Sequence, residues 1–427
     1  MGSGDGDRDG PVRGARPGGT ARGPPHRARP HRGGTRRSPG LPAAVRRSLR
    51  PRQRYGPQRG GRNRAPSPRA ALGVVCDATG RPTGHLVEHA AMDLVSRVMP
   101  RPTYAERRAR LVELLAAMAA TGLTGAHVMD GGDPDLVEAV ARETVLPVRL
   151  RFAPWCMPGA DRDDLEELIG VQGRGGRHWL VGGVKFFMDG TVEGGTAWLA
   201  HPDCHGQGTA AFWPDPEAYR RRTAVARGRS PHGHHAIGDA AVRHVLDVVA
   251  ALGPGARGAH RVEHIETAPD DLLPRFAALG VTASMQPPHT AYTRPDGTDE
   301  WSRHLGADRA AHAWRLRDLR DAGATVALGS DWPIAHYDAR AVLATARRPK
   351  GVASHRAGLT GLEALEGCTT HAACAAGESG TAGRIAPGLR ADLTALAVDP
   401  VEAPADELAQ APVCLTVTGG HVVHREK

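Results

Sequence analysis

The chain has 427 residues, enough for one large α/β domain with a small appendage, and its formal net charge of +9 is unevenly spread. Residues 1–70 hold 18 Arg, no Lys and 3 Asp, a balance of +15, so the rest carries −6 and a nucleic-acid-binding role for the whole protein loses its main support. Six scattered cysteines (Cys76, Cys156, Cys204, Cys368, Cys374, Cys414) with no CxxC pair exclude a disulfide framework and a structural zinc cluster. With no signal peptide and no apolar run approaching roughly 20 residues, they fit a cytoplasmic protein without a membrane partner.

Residues 1–75 are rich in Arg, Gly and Pro and poor in large apolar side chains, so they are expected to form a disordered tail. Order begins near Cys76, with a turn at Asp77–Gly80 and a short strand over Gly84–Val87. Tyr104–Thr121 reads as a helix, its Leu111, Leu114, Leu115 and Met118 at helical spacing and Gly122 as its stop. A strand follows at Leu123–Val128. Pro134–Glu143 is a helix with Asp133 as N-cap, and Leu146–Phe152 and Leu180–Met188 are strands. A long Gly- and Pro-punctuated loop runs to Pro216. Glu217–Arg227 is a helix, a strand ends at His235, and Ala240–Leu252 is a helix with Val242, Val245, Val248 and Val249 inward.

Three further strands start at Arg261, Val281 and Thr325, separated by amphipathic stretches at Pro269–Leu279 and Asp308–Ala322. Ser354–Gly377 reads as a helical closure. Leu393–Val398, Val413–Val417 and His421–His424 read as a small β appendage. Strands alternating with helices give a parallel sheet, and chemistry in such sheets gathers at the carboxyl ends of the strands. His264 and Asp331 stand at such ends, a pairing suited to holding a metal-activated water. Seven strands follow residue 120, whereas a closed (β/α)8 barrel has eight, so one is expected before Leu123.

Several segments carry a resemblance: Val184–Gly190, His235–Asp239, Arg261–His264, Gly329–Pro333 and Gly383–Leu393. In order and in placement at successive strand ends they resemble the metal-dependent amidohydrolase superfamily. Within it the match is to the amidohydrolase 3 branch, which contains the N-substituted formamide deformylases. The resemblance covers Cys76 to Glu426. It departs in two places. The family opens with half of a β-sandwich and a first barrel strand ending in His-x-His, and here the tail offers His26 and His31, five apart in a Pro/Arg context that cannot be a strand. Before His235 the family has an apolar strand, and here Pro231 and Gly233 are expected to disrupt any regular display.

The resemblance implies a TIM-like (β/α) barrel missing its first strand over 76–382, followed at 383–427 by the C-terminal part of a small β-sandwich. It implies metal ligands at Lys185, His235, His264 and Asp331. Lys185 would be carbamylated, and Asp331 would also act as the catalytic proton acceptor. Lys185 could otherwise pair with Asp189 or Asp331, and Asp331 could cap a turn. Asp189, Asp239, Gln286 and His289 are candidates for contacting substrate or supporting the ligands, with Asp239 also suited to capping the helix at Ala240. His232 and His234 read either as a metal tract or as an ill-formed strand. The implied cofactor is zinc, two ions in the intact family and one expected here because the first-strand histidines are absent. The implied reaction is hydrolysis of a non-peptide C–N bond in a small amide or formamide. The alternative is a truncated, catalytically defective relative that keeps the scaffold. A homo-oligomer is left open.

Overall fold

The computed structural model describes residues 73–100, 102–129, 132–226, 232–253, 260–349 and 357–426. The tail up to residue 72, with His26 and His31, and the stretch 227–231 with Pro231 lie outside these residues. The chain divides into two compact units at Leu86. The described part of the first is a hairpin: β1 (Val74–Cys76) pairs antiparallel with β2 (Pro82–Leu86) around the expected turn. The Asp77 carboxylate accepts from the backbone N–H groups of Thr79 and Arg81, and Gly80 supplies the left-handed residue at φ +79°.

The second unit is an α/β fold with a parallel-sheet core. A helix over Glu88–Ser96 comes first, followed by α1 (Tyr104–Ala120), held at its start by a capping box between Thr103 and Glu106. β3 (Gly125–Val128) follows, then α2 (Pro134–Glu143), where the Asp133 side chain accepts from Leu136 N as its sequence predicts. Next come β4 (Arg149–Phe152), β5 (Trp155–Cys156), the short β6 (Gly175–Gly176), β7 (Trp179–Val181) and β8 (Lys185–Phe187). β9 (His232–Ala236), β10 (His260–His264), β11 (Thr282–Met285) and β12 (Val326–Leu328) complete the series. β3, β4 and β7 pair in parallel, with β6 added antiparallel, and β5, β8, β9, β10, β11 and β12 form a second parallel sheet.

The two sheets share two broken strands. β4 passes into β5 across Ala153 and Pro154, and β7 passes into β8 across Gly182, Gly183 and Val184. Proline has no N–H for a ladder, and Gly183 sits at φ +115°, so the run expected as one strand over Leu180–Met188 breaks there. Counting each broken strand once, seven strands are neighbours in chain order from β3 to β12, as the periodicity predicts.

The expected disruption at Gly233 does not occur. β9 is regular, all five of its residues are buried, and it pairs with both β8 and β10. Its apolar cover comes from the helices α3 (Pro216–Ala226) and α4 (Asp239–Ala251). Burial of Val242, Val245, Leu246 and Val249 against Phe186, Ala236 and Val262 stabilises this layer. The N-cap of α4 is Gly238, not Asp239. The Asp239 side chain accepts from the backbone N of Ala200 at 2.9 Å as well as from Ala240 N at 3.1 Å, tying the preceding loop to the helix.

The stretch Asp308–Ala322 is not one helix. It splits into α6 (Ala307–Ala311) and α7 (Leu316–Asp321), preceded by α5 (Glu300–Leu305). At the split Trp314 takes φ +55° and stacks on Trp301 with ring centroids 5.5 Å apart, so aromatic packing overrides helix continuation. The expected closure over 354–377 forms as α8 (Gly361–Cys368) and α9 (Thr370–Ala375).

The C-terminal strands β13 (Leu393–Leu396), β14 (Val413–Thr418) and β15 (His421–Arg425) form an antiparallel sheet. Thr416 and Thr418 donate from their hydroxyls to the carbonyls of Ala119 and Pro147, and Arg149 pairs with Asp392. These contacts anchor the sheet beneath the amino ends of β3 and β4. No helix among the described residues is long and apolar enough to cross a membrane.

Candidate metal centre

A cavity of about 2080 Å³ reaches from Gly125 and Arg149, at the starts of β3 and β4, to the carboxyl ends of the strands, lined among others by Lys185, His235, His264, Gln286, His289 and Asp331. The edge strands β3 and β12 border it through His127, Val128 and Leu328. Three of the lining side chains, His264, His289 and Asp331, each bring one ligand atom to within 4.8 Å of the others. His264 ends β10, His289 lies in the turn after β11, and Asp331 follows β12, so three successive strands supply the group. Two of the three are held in the left-handed region, His264 at φ +79° and Asp331 at φ +56°. Non-glycine residues pay for that conformation, and such strain concentrates at functional sites.

Burial holds the His264 imidazole well below its usual pKa, and the neighbouring His235, Lys185 and His289 push it the same way. A neutral imidazole keeps a lone pair for a cation. Its buried Nδ1 and the buried Oε1 of Gln286 make no well-formed hydrogen bond, although Gln286 stands close enough to pull the imidazole's pKa upward. A buried unsatisfied acceptor is costly unless something else meets it. Burial also pushes the Asp331 carboxyl up to about 6, opposed by Lys185 and assisted by Glu263. The Asp331 side chain keeps 39% of its exposure, so solvent screens part of that effect. His289 Nε2 lies 3.8 Å from Asp331 Oδ2.

The other expected ligands stand close by but are differently engaged. His235 packs its ring 4.4 Å from His264 and stacks on Phe187, while its Nε2 is 3.3 Å from the Gly190 carbonyl. Lys185 is 4% exposed, and burial lowers its pKa against the pull of Glu263 and Asp331. Asp189 does not face the cavity. Its fully buried carboxylate accepts from the backbone N–H groups of Trp198, Ile237 and Gly238, which fixes the loop after β8 against the end of β9.

Two neighbours were not singled out by sequence reasoning. Glu263, inward from β10, pairs with Arg261 at 2.6 Å; burial works to raise its carboxyl, but Arg261 and Lys185 outweigh that and hold it below its ordinary value. Glu266 lines the cavity and accepts from Trp301 Nε1 at 2.6 Å, with burial pushing it up to about 8. The alternation within Arg261–Glu266 was the signal available for Glu263, because it shares the inward phase of Arg261.

A family model described as the amidohydrolase family matches residues 43–424. Among curated proteins the chain is 28% identical over 369 residues to the protein LONG AFTER FAR-RED 3 of Arabidopsis thaliana, covering 80% of this chain and 61% of that one. It is also 28% identical over 373 residues to an N-substituted formamide deformylase of Arthrobacter pascens, covering 81% and 66%. The chain therefore spans about two thirds or less of the length of these two relatives. An uncharacterized metal-dependent hydrolase from Pyrococcus horikoshii OT3 superposes with a TM-score of 0.62 at 22% identity, covering 79% of this chain and 69% of that one, which shows a shared fold. With the family model spanning most of its length, this chain belongs to the amidohydrolase family.

Proposed function

We propose that the protein is a metal-dependent hydrolase of a non-peptide C–N bond in a small amide or formamide. The observation that carries this is the convergence of His264, His289 and Asp331 at successive strand ends within a family of hydrolases. Its seven-strand arc is the body of a TIM-like barrel whose first strand is not among the described residues, with the β13–β15 sheet as part of a small sandwich. The residues fit a zinc ion: two imidazoles and a carboxylate in reach of one another, with a buried nitrogen on His264 that makes no well-formed hydrogen bond. His235 is a further imidazole beside them, and Lys185, carbamylated by loss of a proton and addition of carbon dioxide, would present an anionic oxygen. The lowered pKa of Lys185 favours the neutral amine that this addition requires.

When bound, such an ion supplies Lewis acidity and makes water a stronger acid. The chain's own groups do the rest. Asp331, with a pKa of about 6, is largely ionised at neutral pH and takes a proton from the attacking water. It then returns that proton to the leaving nitrogen. His264 stays neutral and oriented by its place at the end of β10. Asp189 and Asp239 position the loop that walls the cavity. Trp155 and Phe187, packed edge to face at 4.9 Å, offer an apolar wall for a substituent on the nitrogen. The test is zinc-supplemented protein assayed against a panel of N-substituted formamides and simple amides. Turnover that is lost in Asp331→Asn supports the reading. A folded, zinc-loaded protein that hydrolyses none of them would replace it with a scaffold that binds metal without catalysis.

A further inference from the structure

A second group of ligand-type side chains stands on the connections that follow β8 and β11, with Glu300 also lining the cavity. His205, Glu300 and His304 each bring one ligand atom to within 4.8 Å of the others. Glu300 and His304 are four residues apart on α5 and so share one face of the helix. His205 arrives from the loop between β8 and α3, its ring 4.4 Å from that of His304. One residue builds both halves. Asp203 Oδ1 accepts from the backbone N–H groups of His205 at 2.8 Å and Gln207 at 2.7 Å, while Oδ2 lies 2.5 Å from His304 Nδ1. The Asp203 side chain is only 2% exposed and that of His304 9%. Cys204 N also donates to the His304 carbonyl at 2.8 Å.

A buried carboxylate on Nδ1 places the proton there and leaves Nε2 with its lone pair, which is how metal-ligating histidines are generally oriented. Among the described residues Glu300 has one competing ion-pair partner, Arg303 Nη1 at 3.5 Å, and both side chains are about 60% exposed. A surface pair of that kind is weak and yields to a multidentate ion. His205 and Glu300 are exposed, so an ion reaches them from solvent.

We propose that His205, Glu300 and His304 form a second metal site that takes zinc or a similar borderline divalent cation. Two imidazoles, one carboxylate and a solvent position suit that class of ion. The ion would clip the loop after β8 to α5. Because Trp301 on α5 bonds Glu266 at the cavity wall, the clip would also fix one side of that wall. The site does not depend on hydrolysis at the strand ends.

Untagged full-length protein, stripped with a chelator, is titrated with zinc and in parallel with cobalt(II), whose visible absorption reports coordination. His205→Ala, an exposed change, is expected to lower the bound stoichiometry by one while leaving the metal at the strand ends in place. His264→Ala is expected to keep this second equivalent. Asp203→Asn keeps an oxygen for the two backbone N–H groups but turns an N–H₂ toward His304, moving the imidazole proton to Nε2. That change should weaken the site about 10- to 100-fold without lowering the melting temperature of metal-free protein. Stoichiometry unchanged in both His205→Ala and Glu300→Gln, or equal affinity in Asp203→Asn, overturns the assignment.

Discussion

The two faces of β9 carry the same residue type and do different work. Outward, His234 Nδ1 meets the Tyr219 hydroxyl at 2.6 Å and Nε2 meets His260 Nδ1 at 3.0 Å, with the ring stacked on Phe186. Inward, Gly233 lies against Glu263 and Lys185, and His235 leans on His264. The outer histidines are consumed in packing and hydrogen bonds between sheet and helices. The inner one borders charged groups and a cavity. Histidine content therefore says little about chemistry. The side of the sheet that a histidine faces decides whether its lone pair is spent on a neighbour or left for a ligand.

The largest expected effect lies on the inner side. His264→Ala should abolish metal binding at the strand ends, and Asp331→Asn should cut hydrolysis by about 10² to 10⁴-fold with zinc supplied, read by steady-state kinetics and metal analysis. Metal retained at the strand ends in His264→Ala would move the centre elsewhere.

On the outer side, His234→Leu removes the bonds to Tyr219 and His260 in a buried layer and should cost about 1–3 kcal/mol in urea unfolding. Zinc affinity at the strand ends should stay the same. A tenfold loss of affinity would show that the two faces are coupled rather than separate.

Gly233→Val probes the inner packing beside Lys185 without replacing a ligand. A Cβ there would stand 3.0 Å from Met129 Cε, 3.1 Å from Glu263 Oε1 and 3.3 Å from Lys185 Cδ. Overpacking of this kind costs about 1–3 kcal/mol, partly relieved by the flexible end of Met129. Unchanged stability would mean that the inner face is looser than these distances require.

The smallest effect is a pH slope. Glu266 is raised from 4.5 to about 8, chiefly by burial, so the folded state keeps its proton where the unfolded state has lost it. Its contribution is full below about 4.5 and is lost as pH rises through about 8. In Glu266→Gln that part of the decline should vanish, measured as melting temperature from pH 5 to 8 on metal-free protein. Parallel curves for the two proteins would place the raised pKa elsewhere.

Helix α2 with its Asp133 cap, the seven strand segments, and the placement of His264 and Asp331 at strand ends were legible in the sequence by itself. Periodicity, caps and turn residues act over a few residues, so a linear reading captures them. The interruption at Trp314 and the regularity of β9 were not legible, because aromatic stacking and neighbouring strands override local propensity. The grouping of His289 with Asp331, 42 positions later in the chain, and of Asp203 with His304, 101 positions later, was decided only by tertiary structure. Sequence phase shows that alternate residues of a strand face opposite ways. Which way is inward, and which distant side chain waits there, depends on how the strands and helices pack.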